Sequence, residues 1–219
     1  MIRSVFQIYV EQSAVLMPAA AVVFLITGLL STALLSASPG LALIALAFSV
    51  IGTSLFTGMI VELVAAVRAG GATLGVGALL RSILPYLGRL IGVSIVAAIC
   101  EGIGLLLFIV PGLVLLTIWS VYAPVIVLEN AAGLSALGRS RELVRGNGWR
   151  VFAVILTLVL LIGLAGSGIT LAAESAGAAV GLVVRVVIGV LIAPLSSLAA
   201  AVLYFELRAA QEEATGSYS

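Results

Sequence analysis

Residues 90–128 read LIGVSIVAAICEGIGLLLFIVPGLVLLTIWSVYAPVIVL, a nearly unbroken apolar stretch holding one formal charge, Glu101, and one Pro-Gly step, Pro111-Gly112. A bilayer span needs about 20 successive apolar residues at a rise of ~1.5 Å each. The stretch therefore reads as two spans, 90–110 and 113–128, joined by a tight hairpin at Pro111-Gly112 near one membrane surface. Working outward, the same criterion picks out 14–36 and 41–67 upstream and 151–171 and 178–205 downstream. None of the six runs shows strand-type alternation, which argues against a membrane β-barrel. The expected fold is all-α: a single integral membrane domain, 1–219, with six transmembrane helices. With 63% hydrophobic residues, 9% charged residues and a mean hydropathy of +1.36, the composition lies outside the soluble globular range.

Orientation follows from arginine, because the chain has no lysine. Arg3 precedes the first run; Arg68, Arg81 and Arg89 lie between the second and third; Arg139, Arg141, Arg145 and Arg150 lie between the fourth and fifth; Arg208 follows the sixth. In an alternating six-span chain these segments share one side, and the positive-inside bias makes that side cytoplasmic. Both termini are expected inside. The first run is read as a retained span rather than a cleaved leader, since it is long for a leader and its flank is weakly basic. Cys100 lies inside the third run and reads as a packed apolar residue.

Three cytoplasmic segments have helical amphipathicity. In 2–11, Ile2, Val5, Phe6, Tyr9 and Val10 oppose Arg3, Gln7 and Glu11. In 76–87, Val76, Leu79, Leu80, Ile83 and Leu87 form an apolar arc, and Pro85 should bend or interrupt the last turn. In 134–145, Ala136, Leu137, Leu143 and Val144 oppose Arg139, Glu142 and Arg145. All three read as interfacial helices. Their Ile2-Arg3-Ser4, Leu80-Arg81-Ser82 and Gly138-Arg139-Ser140 steps suggest three units, each an interfacial helix followed by a two-span hairpin.

Charge inside the membrane is the rarer signal. Glu101 falls midway along the third run and Arg185 about two turns into the sixth, and each is costly if left facing lipid alone. The two either pair across the bundle or act separately: Arg185 can snorkel outward or meet Glu174, while Glu101 can be protonated or reach a polar cavity. Pro124 and Pro194 fall inside runs and should kink them. Gly88-x-x-x-Gly92 and Gly177-x-x-x-Gly181 fit a small-residue pattern for close helix packing.

The chain has no histidine, no aspartate and one cysteine. Common zinc ligand sets, His-based general bases and Ser-His-Asp triads are thereby excluded. The Gly-rich stretch 70–77 lacks the Lys-Ser/Thr that ends a phosphate cradle. No enzyme, cofactor, metal or nucleic-acid partner is expected.

Residues 105–116 (LLLFIVPGLVLL), Trp119, Ala123-Pro124 through Glu129, and Ala136 through Arg150 with its Gly146-Asn147-Gly148-Trp149-Arg150 end, follow one another in a recognisable order. They resemble the membrane domain that accompanies bacterial glycerophosphoryl diester phosphodiesterases, and its stand-alone six-span relatives of unknown function. Ala193-Pro194-Leu195 and 203–208 are similar to the end of that domain. The resemblance covers about half the chain, chiefly after Leu105. It implies a six-helix domain in a bacterial cytoplasmic membrane. It does not imply phosphodiesterase chemistry, which belongs to a separate soluble barrel.

Two functional classes follow. One is a non-enzymatic membrane component of an export, immunity or envelope complex. It would bind membrane lipids, anionic ones included, or a protein partner through the cytoplasmic face carrying Arg139, Arg141, Arg145, Trp149 and Arg150. The other is a small permease that moves a solute through the bundle, with Glu101, Arg185, Pro124 and Pro194 as working parts. A water-accessible cavity reaching Glu101 favours the permease; a tight bundle with an apolar groove open to lipid favours the binding role.

Overall fold

The computed structural model describes residues 13–70, 75–175 and 177–216, and these form helices and the turns between them, with no strand among the described residues. In chain order the helices are α1 (Ser13–Ala37), α2 (Ala42–Arg68) after a 3-10 turn at Pro39–Leu41, α3 (Val76–Leu107), α4 (Ile109–Ile118), α5 (Tyr122–Leu128), α6 (Ser135–Val144), α7 (Gly148–Ser175) and α8 (Ala178–Gly216). Among the described residues, five helical segments are long and apolar enough to cross a membrane, or six if the bent pair α6–α7 counts as one. The all-α expectation holds. The amphipathic segment expected at 2–11 lies outside the described residues.

Proline placement explains the helix breaks. A proline removes the hydrogen bond to the carbonyl four residues back and clashes with it, yet sits comfortably in a first turn. Four residues before Pro111 is Leu107, where α3 ends; four before Pro124 is Ser120, in the break between α4 and α5. Both prolines thus occupy the third position of a new helix. Two expectations are corrected accordingly. The hairpin turns at Phe108, whose backbone is extended (φ −155°, ψ 134°), and Pro111-Gly112 open the returning helix. The run 113–128 falls within one span-length apolar segment, Ile109–Leu128, but that segment is interrupted at Trp119–Val121 rather than kinked at Pro124 itself. Pro194, by contrast, lies within an unbroken α8 and is buried.

The segment 76–87 is no separate interfacial helix. Leu79, Ile83, Leu90, Val93 and Ala97 form one buried stripe that continues past Pro85, so a single helix of 32 residues buries it. In the third segment α6 is separate, and it meets α7 at 107°. The chain can turn there because Gly146 takes φ +93°, a conformation suited to glycine. The second and third repeat units consequently differ in architecture.

α1 packs on α2 and α8, α2 on α3, α5 and α8, α3 on α4, and α7 on α4 and α8. Burial is uneven along these helices. Phe56–Val64 of α2, the first half of α3, α5, α6 and Leu198–Leu207 of α8 supply most of the core. The opposite halves expose apolar stripes: Val22, Ile26 and Leu29 on α1, Ile95, Ile99 and Ile103 on α3, Val183, Val187 and Leu191 on α8. Contiguous apolar surface on this scale suits a lipid surround.

Close helix contact at the α3–α4 hairpin uses glycines other than Gly88 and Gly92. A Cβ on Gly88 or Gly92 would meet nothing within 4 Å, whereas one on Gly112 would stand 2.6 Å from the backbone nitrogen of Leu105. Gly104 faces Gly112 across the same hairpin, so α3 and α4 touch backbone to backbone.

Candidate functional site

A cavity of about 240 Å³ lies among α2, α3 and α5. On α2, Ser49, Thr53 and Thr57 recur every four residues and line it, with Ser54 beside them; α3 adds Ser94 and Glu101, and α5 adds Tyr122. The rest of the wall is Val50, Leu90, Ala97, Ala98 and Ala123. Among the described residues no basic side chain lines it. Thr53 and Ala98 are exposed and Glu101 is half-buried, so the cavity is open to the surroundings on the α2–α3 side.

The hydroxyls are linked. Ser54 Oγ donates to Ser94 Oγ at 3.1 Å, and Ser94 Oγ lies 3.0 Å from Tyr122 Oη. Thr53 Oγ1 donates to the Ser49 carbonyl at 2.8 Å, and Thr57 Oγ1 lies 3.3 Å from Ser197 Oγ of α8. Tyr122 owes its position to the break just before it. There Ser140 of α6, fully buried, donates from Oγ to the Ile118 carbonyl (2.9 Å) and accepts from the Val121 amide (3.3 Å). One hydroxyl thereby satisfies a carbonyl and an amide that the interrupted helix leaves without their usual partners.

Of the residues expected at a site, Glu101 is in the cavity. Among the described residues neither of its oxygens has a hydrogen-bond or ion-pair partner. Arg185 lies on α8, and its side chain is outside the described part. Pro124 follows the lining residue Ala123 in the chain, but neither it nor Pro111, Gly112 or Pro194 is among the lining residues.

The arginine group divides. Arg139 donates from Nε to Glu129 Oε2 at 2.9 Å and from Nη1 to Glu142 Oε2 at 3.4 Å. The Glu129 hydrogen bond raises its guanidinium pKa above the ordinary value. Tyr204, buried on α8, donates to the other Glu129 oxygen at 2.9 Å, and Gln211 Nε2 donates to the Glu142 carbonyl at 3.1 Å. Arg139 is therefore part of the joint between α5, α6 and α8. Arg141 and Arg145 are exposed beside a surface hollow that also includes Gly146 and Gly148. Arg150 is exposed, and Trp149 is 80% exposed with its ring stacked on Phe152 at 5.3 Å. The apolar face of α6, expected to lie in lipid, is instead buried against α5 and α8: Ala136 and Leu143 are fully covered.

The hydroxyl stripe was not among the expected site residues. Its signal is present in the sequence as Ser49-x-x-x-Thr53-x-x-x-Thr57, one helical face within an apolar run. Among the described residues, no three His, Cys, Asp or Glu side chains gather as a metal group. Comparison with protein-family models, curated proteins and solved structures finds no match to the chain.

Proposed function

We propose that this chain is a non-enzymatic, multi-pass protein of a bacterial cytoplasmic membrane, related to the membrane domain of the glycerophosphoryl diester phosphodiesterase family, and that it moves a small solute through its helix bundle. The observation that carries the transport reading is the hydroxyl-lined cavity reaching Glu101. A carboxylate inside an apolar bundle with no partner among the described residues is expensive to keep, and with hydroxyls from three helices lining the cavity beside it, it is natural to a solute path. The six-span topology, with α6–α7 as one bent element and both termini cytoplasmic, rests on the arginine distribution.

A second reading keeps the chain as a lipid- or partner-binding component of an export, immunity or envelope complex. Exposed Arg141, Arg145, Trp149 and Arg150 around the α6–α7 bend favour it, since arginine and tryptophan suit an anionic membrane surface.

The direction in which the cavity opens separates the two. With Cys100→Ser as background, Thr53→Cys is treated in membrane vesicles with a charged thiol reagent and with a lipid-soluble maleimide. The permease reading expects both to label. Labelling by the lipid-soluble reagent alone would mean a cavity facing acyl chains, and the permease reading would give way to the binding one.

A further inference from the structure

We infer that the solute held in this cavity is a small organic cation bearing N–H donors, bound by the Glu101 carboxylate and by the oxygen lone pairs of Thr53, Ser54, Ser94 and Tyr122. The inference rests on the permease reading and adds the substrate class. Its basis is a count of donors against acceptors. Each hydroxyl carries one proton and two lone pairs. The Thr53 proton is committed to the Ser49 carbonyl and the Ser54 proton to Ser94. The Ser94–Tyr122 contact takes a third proton, whichever partner gives it, and the Thr57–Ser197 contact a fourth. Three hydroxyl protons stay uncommitted, that of Ser49, one of the Ser94–Tyr122 pair and one of the Thr57–Ser197 pair; the lone pairs outnumber them, and the Glu101 carboxylate adds acceptor positions that have no partner among the described residues. An anion or an acceptor-rich solute would meet fewer donors than lone pairs and would face the Glu101 carboxylate, with no lining Arg among the described residues to offset it. A cation with several N–H groups satisfies the lone pairs and supplies the counter-charge that a carboxylate at this depth needs.

Size limits the solute further. At about 240 Å³ the cavity lies below the ~300–1,000 Å³ usual for drug-sized ligands, so a molecule of a few heavy atoms fits. The hydroxyls come from three helices, so a bound donor-rich cation would bridge α2, α3 and α5.

Guanidinium and urea make the test, because they share a planar three-armed shape and differ in charge. The full chain in proteoliposomes carries Cys100→Ser and a reporter, Ala98→Cys, at the exposed edge of the cavity. Two readouts are taken: protection of the reporter from a neutral thiol reagent, and uptake of radiolabelled guanidinium or urea. The expectation is protection and uptake with guanidinium, and about tenfold weaker protection with urea or in Glu101→Gln, the size of one charge-assisted hydrogen-bonded contact. Glu101→Gln keeps the shape of the side chain, and a reporter that labels at the parental rate without solute shows the cavity intact. If that variant labels abnormally, the guanidinium–urea comparison in the parental chain decides. Equal protection by urea overturns the cation inference, and protein-dependent uptake would then leave the permease reading standing. Protection by guanidinium with no uptake overturns the permease reading and keeps the cation site. Neither protection nor uptake overturns both.

Discussion

Ser140 shows how much one hydroxyl can hold when it is fully enclosed. Its two hydrogen bonds to Ile118 and Val121 close the interrupted α4–α5 segment, and α6 exists in its observed place partly to deliver that side chain. Ser140→Ala leaves a buried carbonyl and amide without this partner, and a loss of ~1–3 kcal/mol is expected. Ser135→Ala is the control, because Ser135 is exposed and bonds only to the Ala132 carbonyl of its own turn. Unfolding of the detergent-solubilised protein on heating should begin at lower temperature for Ser140→Ala and be unchanged for Ser135→Ala; equal behaviour would mean the break is held by packing alone. A second comparison ranks the bonds on Glu129. Tyr204 is buried where it donates to Glu129, whereas Arg139 is 37% exposed in its ion pair, and exposed pairs contribute about 0–1 kcal/mol. Tyr204→Phe is therefore expected to destabilise more than Arg139→Gln in the same assay, and the reverse order would make the ion pair the principal fastening.

Among the elements, the α3–α4 hairpin is where backbone geometry decides stability. Gly112→Ala drives a methyl toward the Leu105 backbone and should cost ~1–3 kcal/mol through overpacking. Gly92→Ala, where a Cβ meets nothing within 4 Å, should instead leave stability unchanged or raise it by up to ~1 kcal/mol through helix propensity. Matching thermal shifts for the two variants would count against the backbone contact. The contrast also marks what the sequence made legible. Apolar runs announced the helices, because hydropathy integrates over many residues and tolerates local error. The breaks at Phe108 and Trp119–Val121 were displaced from expectation by about one turn, because a proline acts on the carbonyl four residues upstream rather than at its own position. Gly88 and Gly92 carried a packing pattern but lie against nothing, since spacing alone does not say which face meets a neighbour. The same limit hid the fate of α6: amphipathicity at Ala136, Leu137, Leu143 and Val144 identifies an apolar face, and in a membrane protein lipid and neighbouring helices are equally apolar hosts. At the cavity, Glu101 stood out as a lone charge, whereas Ser49, Thr53 and Thr57 looked unremarkable singly because hydroxyls are tolerated in membrane helices. Their meaning came from Ser94 and Tyr122, brought to them from other helices.

For the whole molecule, the division of the arginines sets the last expectations. Arg139 is committed to the joint among α5, α6 and α8, while Arg141, Arg145 and Arg150 remain exposed around the α6–α7 bend. If the arginine asymmetry fixes orientation, cysteines at Ser38 and Ser135, in a Cys100→Ser background, label from opposite sides of intact cells, Ser38 from outside. Labelling of Ser135 from outside would invert the topology and with it the membrane surface that the three exposed arginines face. With that orientation, each arginine near an anionic cytoplasmic leaflet contributes about 1 kcal/mol, decaying over a Debye length of ~8 Å at physiological salt. Replacing Arg141, Arg145 and Arg150 together by Gln leaves Arg139 in its network and Arg68, Arg81, Arg89 and Arg208 to hold the topology. The triple variant should fold and insert like the parent, yet in detergent micelles retain less co-purifying anionic lipid, and the difference should shrink as salt is raised. Arg139→Gln, in contrast, should lower stability with little effect on lipid retention. If the triple variant keeps its full complement of anionic lipid at low salt, the exposed arginines serve orientation only, and the lipid-binding reading loses the observation that favours it.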